Sequence, residues 1–454
     1  MVEIVAQSNR EQVERAVLAG LAIGSDPTVL DQAERSLTEL AELARTAGAE
    51  VVAGLMQRRQ IPDPAYLIGR GKAEELRTAC EALDADLVVF DEELTGSQIR
   101  NLEKLIGCKV IDRTLLILDI FASRAQSREG KLQVELAQQQ YRLSRLVGMG
   151  QSLSRLGGGI GTRGPGESKL ESDRRHINRR ITYLKRALSD LGEHRQRTRK
   201  QRQENDVMTI AVVGYTNAGK STLINKLCSS DLFTMDQVFA TLDPAVRRLI
   251  LPDRIEVLLI DTVGFIRKLP HHLVDAFHST LEEVTSADAI LQIIDVSDPD
   301  VAAQMAVVEA LLLRLQAAGK PRLIVFNKMD VLTAVPAPID PDWDDFAPSG
   351  LPPDLAVLIP AGQSRQAFLV SAVTGEGIDA LLDAISELAR HNQIQADLII
   401  PYASAGLLDY IRRHGRVIKL DYWATGIAVT MAIKYSHFSP LRHFVRLAEK
   451  PEKR

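Results

Sequence analysis

The sequence predicts an α/β protein: a P-loop domain on a mostly parallel sheet, preceded by an α/β subdomain with a long helical hairpin and followed by a small α+β domain. Three observations predict it. Apolar strand-like runs alternate with helical stretches over residues 1–125. A helical pattern then runs to about residue 206, broken by a glycine-rich tip. From Met208 a strand, a glycine-rich turn and a helix follow in the order a phosphate-binding loop needs.

In the first unit, Ala16–Ile23, Glu50–Gln57, Asp86–Phe90 and Lys109–Ile111 are strand-like, and Asp31–Ala47, Gly71–Ala85 and Thr95–Ile106 have helical periodicity. Strands alternating with helices point to a parallel sheet. Gly69-Arg70-Gly71-Lys72 precedes a helix; it reads either as a turn with an N-cap or as a phosphate-binding turn that would let this subdomain take ATP. From Leu115 to Met149 the pattern is continuously helical. A tip rich in glycine spans Gly148 to Gly166, and a second long helix is expected from Ser168 to Asn205. Leu170, Ile177, Ile181, Leu184, Leu188 and Leu191 make a heptad-like seam along it. Residues 126–206 therefore read as a helical arm that reaches roughly 50 Å at ~1.5 Å per residue.

Charge is concentrated on this arm. Over Tyr141–Lys200, 15 Lys and Arg stand against 5 Asp and Glu, a balance of +10 in a chain of net charge −4, so the remainder carries −14. Such a segment is an electrostatic footprint for a phosphate backbone; the alternative is the solvated face of a coiled coil. Arg155, Arg163 and Lys169, at and beside the tip, are the candidate RNA contacts. Interleaved aromatics are few (Tyr141, Tyr183), so recognition of shape and phosphate in folded RNA fits better than base stacking.

The chemistry centres on Gly214-Tyr215-Thr216-Asn217-Ala218-Gly219-Lys220-Ser221, a G-x-x-x-x-G-K-S pattern followed by Thr222. Its glycines let backbone N–H groups curl round phosphate oxygens, and the next helix aims its positive end at the same anion. Lys220 is expected on the β- and γ-phosphates and Ser221 on Mg²⁺. In Phe239-Ala240-Thr241-Leu242-Asp243, Thr241 has a hydroxyl for Mg²⁺ and an N–H for the γ-phosphate. In Asp261-Thr262-Val263-Gly264, Asp261 is expected to hold Mg²⁺ through water and Gly264 to present an N–H to the γ-phosphate. Asn327-Lys328-Met329-Asp330 selects guanine, because the acceptor-only carboxylate of Asp330 suits the paired donors of that base. Ser371-Ala372-Val373 would close over the base, with Val373 where a basic residue is common. Lys220, Thr241 and Gly264 are thus the catalytic candidates, and Ser221, Thr241 and Asp261 the metal ligands. The position after Gly264, where Ras-type enzymes carry a water-orienting Gln, is Phe265, so slow intrinsic hydrolysis is expected. Asn217 resembles the loop Asn of potassium-activated GTPases, which adds K⁺ as a candidate cofactor. His271, His272 and His278 follow as either a catalytic His or ordinary loop residues.

The GTPase domain is expected over residues 207–392, with Pro252-Asp253 turning an antiparallel edge hairpin, amphipathic helices at Val301–Ala318 and Gly377–Arg390, and a Pro-rich insertion at 333–366. Residues 393–454 make the small terminal domain. At 454 residues, 45% apolar and 25% charged, with no apolar run of membrane-spanning length and no secretory signal pattern, the chain reads as soluble and cytoplasmic, with peripheral membrane association left open. Three well-separated cysteines argue against a disulfide framework or a zinc site. A monomer is expected.

The arrangement resembles the HflX family of the Obg–HflX group of translational GTPases. The resemblance rests on Leu67-Ile68-Gly69-Arg70-Gly71-Lys72, Asp112-Arg113-Thr114, Leu156 to Glu167 (LGGGIGTRGPGE), Gly214–Ser221, Phe239–Asp243 and Asp261–Ile266. It implies the four-part fold above, binding to the large ribosomal subunit and its rRNA, and splitting of stalled or idle ribosomes under stress, with the hairpin tip directed toward the peptidyl-transferase centre. The insertion at 333–366 departs from the family pattern. A ribosome-assembly GTPase and a GTP-dependent switch binding a protein partner are the alternative readings.

Overall fold

The computed structural model describes residues 13–153, 165–204, 207–228, 245–253, 255–268, 278–331, 359, 367–391, 393–434 and 437–445. They pack as two compact units. The first holds the described residues up to Ser189 together with 266–268 and 278, and the second holds the others.

The first unit is built on a four-stranded sheet of order β2-β1-β3-β4. Its strands are β1 (Arg15–Ile23), β2 (Glu50–Arg59), β3 (Leu87–Phe90) and β4 (Lys109–Asp112), and every pairing is parallel. Central strands of a parallel sheet are covered on both faces, which is why β3 is a pure apolar run, Leu-Val-Val-Phe, buried throughout. The connecting helices are α1 (Pro27–Thr46), α2 (Arg70–Ala82) and α3 (Gly96–Ile106). Their ends carry the expected chemistry. Asp26 accepts the Thr28 N–H ahead of Pro27, Thr95 and Gln98 form a capping box, and Gly107 ends α3 at φ +89°. Gly69 is the N-cap of α2, and its N–H donates to Gln57 Oε1 at 2.8 Å.

The helical stretch expected as continuous from Leu115 to Met149 is two helices, α4 (Arg113–Arg124) and α5 (Arg128–Leu153). Ala125 leaves the helix at ψ 110°, and Ser127 Oγ accepts the Gly130 N–H at 2.8 Å, starting α5 afresh. The long second helix, α6, runs Pro165–Glu204 and begins three residues earlier than expected, on the proline suited to a first turn. The middle of the heptad seam forms: Ile181 and Leu184 bury against Leu136, flanked by Leu132, Leu143, Ile177 and Leu188.

Buried charge ties this unit together. Arg113, with its side chain 3% exposed, donates to Asp91 and to Glu39, each at 2.7 Å, and Ser36 Oγ donates to Asp91 at 2.6 Å. Burial alone would raise the Asp91 pKa, but Arg113 and Lys268 outweigh it and hold the carboxyl below its ordinary value. Asp112, wholly buried, caps α4 through the Leu115 N–H (3.0 Å) and also accepts from the Tyr141 hydroxyl (3.0 Å) and Arg145 Nη2 (2.5 Å). One carboxylate at the end of β4 therefore fixes both α4 and the root of α5.

In the second unit a six-stranded sheet has the order β10-β9-β8-β5-β7-β6. Its strands are β5 (Met208–Gly214), β6 (Ala245–Ile250), β7 (Glu256–Asp261), β8 (Ala289–Asp295), β9 (Arg322–Asn327) and β10 (Ala367–Leu369). Only β6 pairs antiparallel, as the Pro252-Asp253 turn predicts. Its helices are α7 (Lys220–Cys228), α8 (His278–Ser286), α9 (Val301–Arg314) and α10 (Ile378–His391). α9 stops four residues short of the expected Ala318, because Gln316 turns left-handed at φ +56° and the Ala317 N–H closes back onto the Leu312 carbonyl. A three-stranded antiparallel sheet, β11-β13-β12, completes the unit: β11 (Gln393–Ile400), β12 (Gly415–Trp423) and β13 (Gly426–Lys434). Helix α11 (Gly406–His414) packs Leu408 and Ile411 onto it. The proposed insertion lies outside the described residues except Ile359, which packs on the cluster of Ile294 and Phe326.

Arg113→Ala leaves the buried Asp91 and the half-buried Glu39 without their shared cation. It should cost ~3–5 kcal/mol in chemical denaturation, and Arg113→Met combined with Asp91→Leu should recover part of the loss. An unchanged midpoint for Arg113→Ala would show that the network contributes nothing.

Candidate active site

Strand β5 ends at Gly214 on the carboxyl edge of the sheet, between β7 and β8, where the strand order reverses. Open α/β sheets bind ligands at such a switch point. A Cβ on Gly214 would stand 2.3 Å from the Ile293 carbonyl of β8, so the turn admits no side chain there. The loop then passes through Asn217 (φ +62°) and Gly219 (φ +85°) before Lys220 opens α7. This places the helix N-terminus behind a curl of backbone N–H groups, an anion cradle.

Two partners hold the cradle. The Thr216 N–H donates to the Phe265 carbonyl at 2.8 Å, and the Phe265 N–H donates to the Gly214 carbonyl at 3.1 Å. From the other side Asn327 Nδ2 donates to the Ala218 carbonyl at 2.9 Å, while Asn327 Oδ1 accepts the Ala372 N–H at 3.0 Å. Gly219 is essential to this packing, since a Cβ there would meet Asn327 Nδ2 at 2.3 Å.

Lys220 is buried, and its ammonium donates to the carbonyls of Tyr215 (2.8 Å) and Gly214 (3.2 Å). Burial pushes its pKa down to about 8, with Asp261 partly opposing. Gly264 closes over the same spot: a Cβ there would lie 2.9 Å from Thr216 Cγ2 and 3.0 Å from Lys220 Nζ. A side chain would fill the space where phosphate oxygens belong. Ser221 Oγ donates to Asp261 Oδ2 at 2.9 Å, so the two oxygens expected to serve a metal already share one point. Among the described residues no group of three or more His, Cys, Asp or Glu gathers elsewhere as a metal site. Hard hydroxyl and carboxylate oxygens fit Mg²⁺, which keeps waters and substrate oxygens as its other ligands.

Asp330 sits exposed on a 3-10 turn, Met329–Val331, which the Met329 N–H anchors to the Val370 carbonyl at 3.2 Å. Lys328 is left-handed at φ +67°, and its ammonium pairs with Asp295 at 2.7 Å. Asp295, at the end of β8, is a residue the motif reading missed; an acid ending the strand beside the P-loop strand was its only sequence signal. Ser371 is fully buried and accepts the Thr374 N–H at 3.1 Å, shaping the turn that presents Ala372. Val373 stands 72% exposed.

The fold thus gathers Gly214–Thr222, Asp261–Gly264, Asn327–Asp330 and Ser371–Val373 on one edge of one sheet. Thr262, expected among the nucleotide contacts, points its hydroxyl into the sheet, donating to the Val212 carbonyl at 2.6 Å, and is fully buried. Val263 is buried as well. Phe265 is 2% exposed, so no polar group occupies the water-orienting position. Phe239, Ala240, Thr241, Leu242, Asp243, Arg155, Arg163, His271 and His272 lie outside the described residues, as do the side chains of Lys169 and His278.

An anion cradle at the switch point, with an Asn-Lys-x-Asp turn tied to it through one amide, defines the class: a P-loop GTPase. Comparison with known proteins narrows it. Four family models match in series: "GTP-binding GTPase N-terminal" over residues 34–122, "GTP-binding GTPase Middle Region" over 124–202, "50S ribosome-binding GTPase" over 209–328 and "HflX C-terminal domain" over 356–440. GTPase HflX of Caldanaerobacter subterraneus subsp. tengcongensis is 48% identical over 95% of this chain and 94% of its own length. GTPase HflX of Escherichia coli K12 is 42% identical over 86% of each. A solved GTP-binding protein of Sulfolobus solfataricus in complex with GDP is 23% identical, covering 83% of this chain and 99% of that one at a TM-score of 0.45. The chain belongs to the HflX GTPase family, and it hydrolyses GTP.

Asn327→Ala strands a carbonyl on the cradle and an N–H on the base loop at once. At ~1–3 kcal/mol per unmet buried group, GDP affinity should fall at least tenfold. A fluorescent-nucleotide titration checks this, and undiminished affinity would show that the amide is not the tie described.

Proposed function

We propose that this chain is a GTP-hydrolysing factor that binds the large ribosomal subunit through its basic hairpin and splits stalled or idle ribosomes under stress. The observation that carries the reading is the joining, in one chain, of the GTPase site with a +10 segment, residues 141–200, in an otherwise acidic protein. The ribosome-binding description of the matched GTPase family supports it. Among the described residues no helix is long and apolar enough to cross a membrane.

In this reading the N–H groups of the cradle bind the β- and γ-phosphates, and Lys220 exchanges its loop carbonyls for phosphate oxygens. Gly264 presents its N–H to the γ-phosphate, as does Thr241. Asp330 accepts the guanine donors, and Ala372 packs at the base. Ser221, Asp261 and Thr241 would hold Mg²⁺, which supplies charge stabilisation on the phosphates. Water attacks the γ-phosphate and GDP leaves. With Phe265 buried in a backbone bridge, the position after Gly264 offers no side chain to orient that water, and in this reading a group on the ribosome supplies the order. Asn217, left-handed in the cradle loop, carries a side-chain oxygen that would help hold K⁺ beside the phosphates.

GTP hydrolysis in potassium buffer should rise at least tenfold on adding purified large subunits, and neutralising Arg155 and Arg163 should abolish the rise. Exchange of K⁺ for Na⁺ should slow turnover. Absent stimulation, the ribosomal reading fails while the GTP site stands; equal rates in both salts remove K⁺.

Lys220 gives a proton-linked test. Phosphate favours the charged ammonium and so raises a pKa of about 8 in the free protein. Nucleotide binding should therefore take up a proton near pH 8.5 and none from this group near pH 6.5, and affinity should fall as pH rises through 8. Calorimetry at pH 8.5 in two buffers of different ionisation enthalpy reads the uptake; identical heats would contradict it.

A further inference from the structure

Beside the root of the hairpin, α5 and α6 enclose a groove of about 840 Å³ in the first unit. Its walls carry two arginine–tyrosine stacks. Arg145 lies 4.4 Å over the ring of Tyr141, and Arg180 lies 5.0 Å over the ring of Tyr183. Each guanidinium is pinned by a carboxylate. Asp112 accepts from Arg145 at 2.5 Å, and Glu135 takes Arg180 through two bonds, at 2.6 and 2.8 Å. Ile177 supplies an apolar surface between them, and Arg179 stands exposed at the rim.

Pinning matters physically. An unconstrained surface arginine loses side-chain entropy whenever it stacks on a ligand. Arg180, fixed in plane by a fork of two bonds, has already met that cost and presents a flat cationic platform. Tyr183 beside it is 57% exposed, a large ring that keeps open surface beyond the Arg180 stack. A solvated coiled-coil face does not require a flat aromatic–guanidinium platform over a groove of ligand size. Unstacked RNA bases are recognised on such planes, with nearby arginines on the phosphate.

We propose that this groove receives one unpaired RNA nucleotide, its base stacked on the Tyr183–Arg180 platform and its phosphate against Arg179. The inference deepens the reading of the hairpin as an RNA-binding arm, and rests on it for the source of the RNA. It adds a base-stacking site at the root of the arm, separate from the glycine-rich tip, where composition argued against stacking.

The test uses the full chain and a fluorescein-labelled single-stranded hexa-adenylate, with purified large subunits in a parallel sedimentation assay. Tyr183→Leu should weaken the oligonucleotide about 5- to 100-fold, while Tyr183→Trp and Tyr183→Phe retain binding. Arg179→Gln should reduce the salt slope of log affinity by about 0.7. Tyr183 is exposed and outside the GTP site, so unchanged GTP hydrolysis and melting confirm that each variant is folded. Equal affinity of wild type and Tyr183→Leu for the oligonucleotide, or no binding by either, overturns the groove whatever the subunits do. Oligonucleotide binding that depends on Tyr183, with no sedimentation on large subunits, upholds the groove and removes the ribosomal reading instead.

Discussion

One amide holds the nucleotide site together. Asn327 donates to the carbonyl of Ala218 in the P-loop and accepts from the N–H of Ala372 in the base loop. The phosphate cradle, the guanine-reading turn and the loop over the base belong to three stretches of chain, and their spacing must match one nucleotide. A buried side chain that bonds to two of them while sitting in the third sets that spacing before ligand arrives. Preorganisation of this kind spares the cost of ordering loops during binding. The left-handed Gly219 follows from it, since only a residue without Cβ clears the Asn327 amide.

The bridge at Phe265 has a comparable role with a different consequence. Its backbone exchanges hydrogen bonds with Gly214 and Thr216, and its side chain is buried. A polar side chain at this position would serve to orient water; here the position secures the cradle. The proposed dependence on a partner would rest on this position, and an arginine finger supplied from outside is worth about 10³–10⁵-fold in such systems.

In the first unit a buried carboxylate performs the equivalent task. Asp112 ends β4, caps α4 and accepts from Tyr141 and Arg145 of α5. The arm needs a fixed root, and two bonds from α5 to one fully buried acid fix it. The same Arg145 forms one wall of the groove between the helices, so the anchoring of the arm and the shape of the groove share a residue.

Much of this was legible in order along the chain. The cradle, the Asp-x-x-Gly turn and the Asn-Lys-x-Asp turn are local patterns, because each needs particular backbone geometry over a few consecutive residues, and spacing records that. Alternating strands and helices likewise announced a parallel sheet, since its strands are apolar on both faces. The helix break at Ala125 was hidden because periodicity reports which face is apolar, and that face continues across the break; only the cap at Ser127 marks it. Thr262 could not be assigned from its motif, because a hydroxyl's direction depends on the Val212 carbonyl fifty residues away in sequence and adjacent in the sheet. The Lys328–Asp295 pair and the two hydrogen bonds of Asn327 are of the same kind. Each exists because the fold brings groups from separate elements within hydrogen-bonding distance, a relation that linear spacing does not encode.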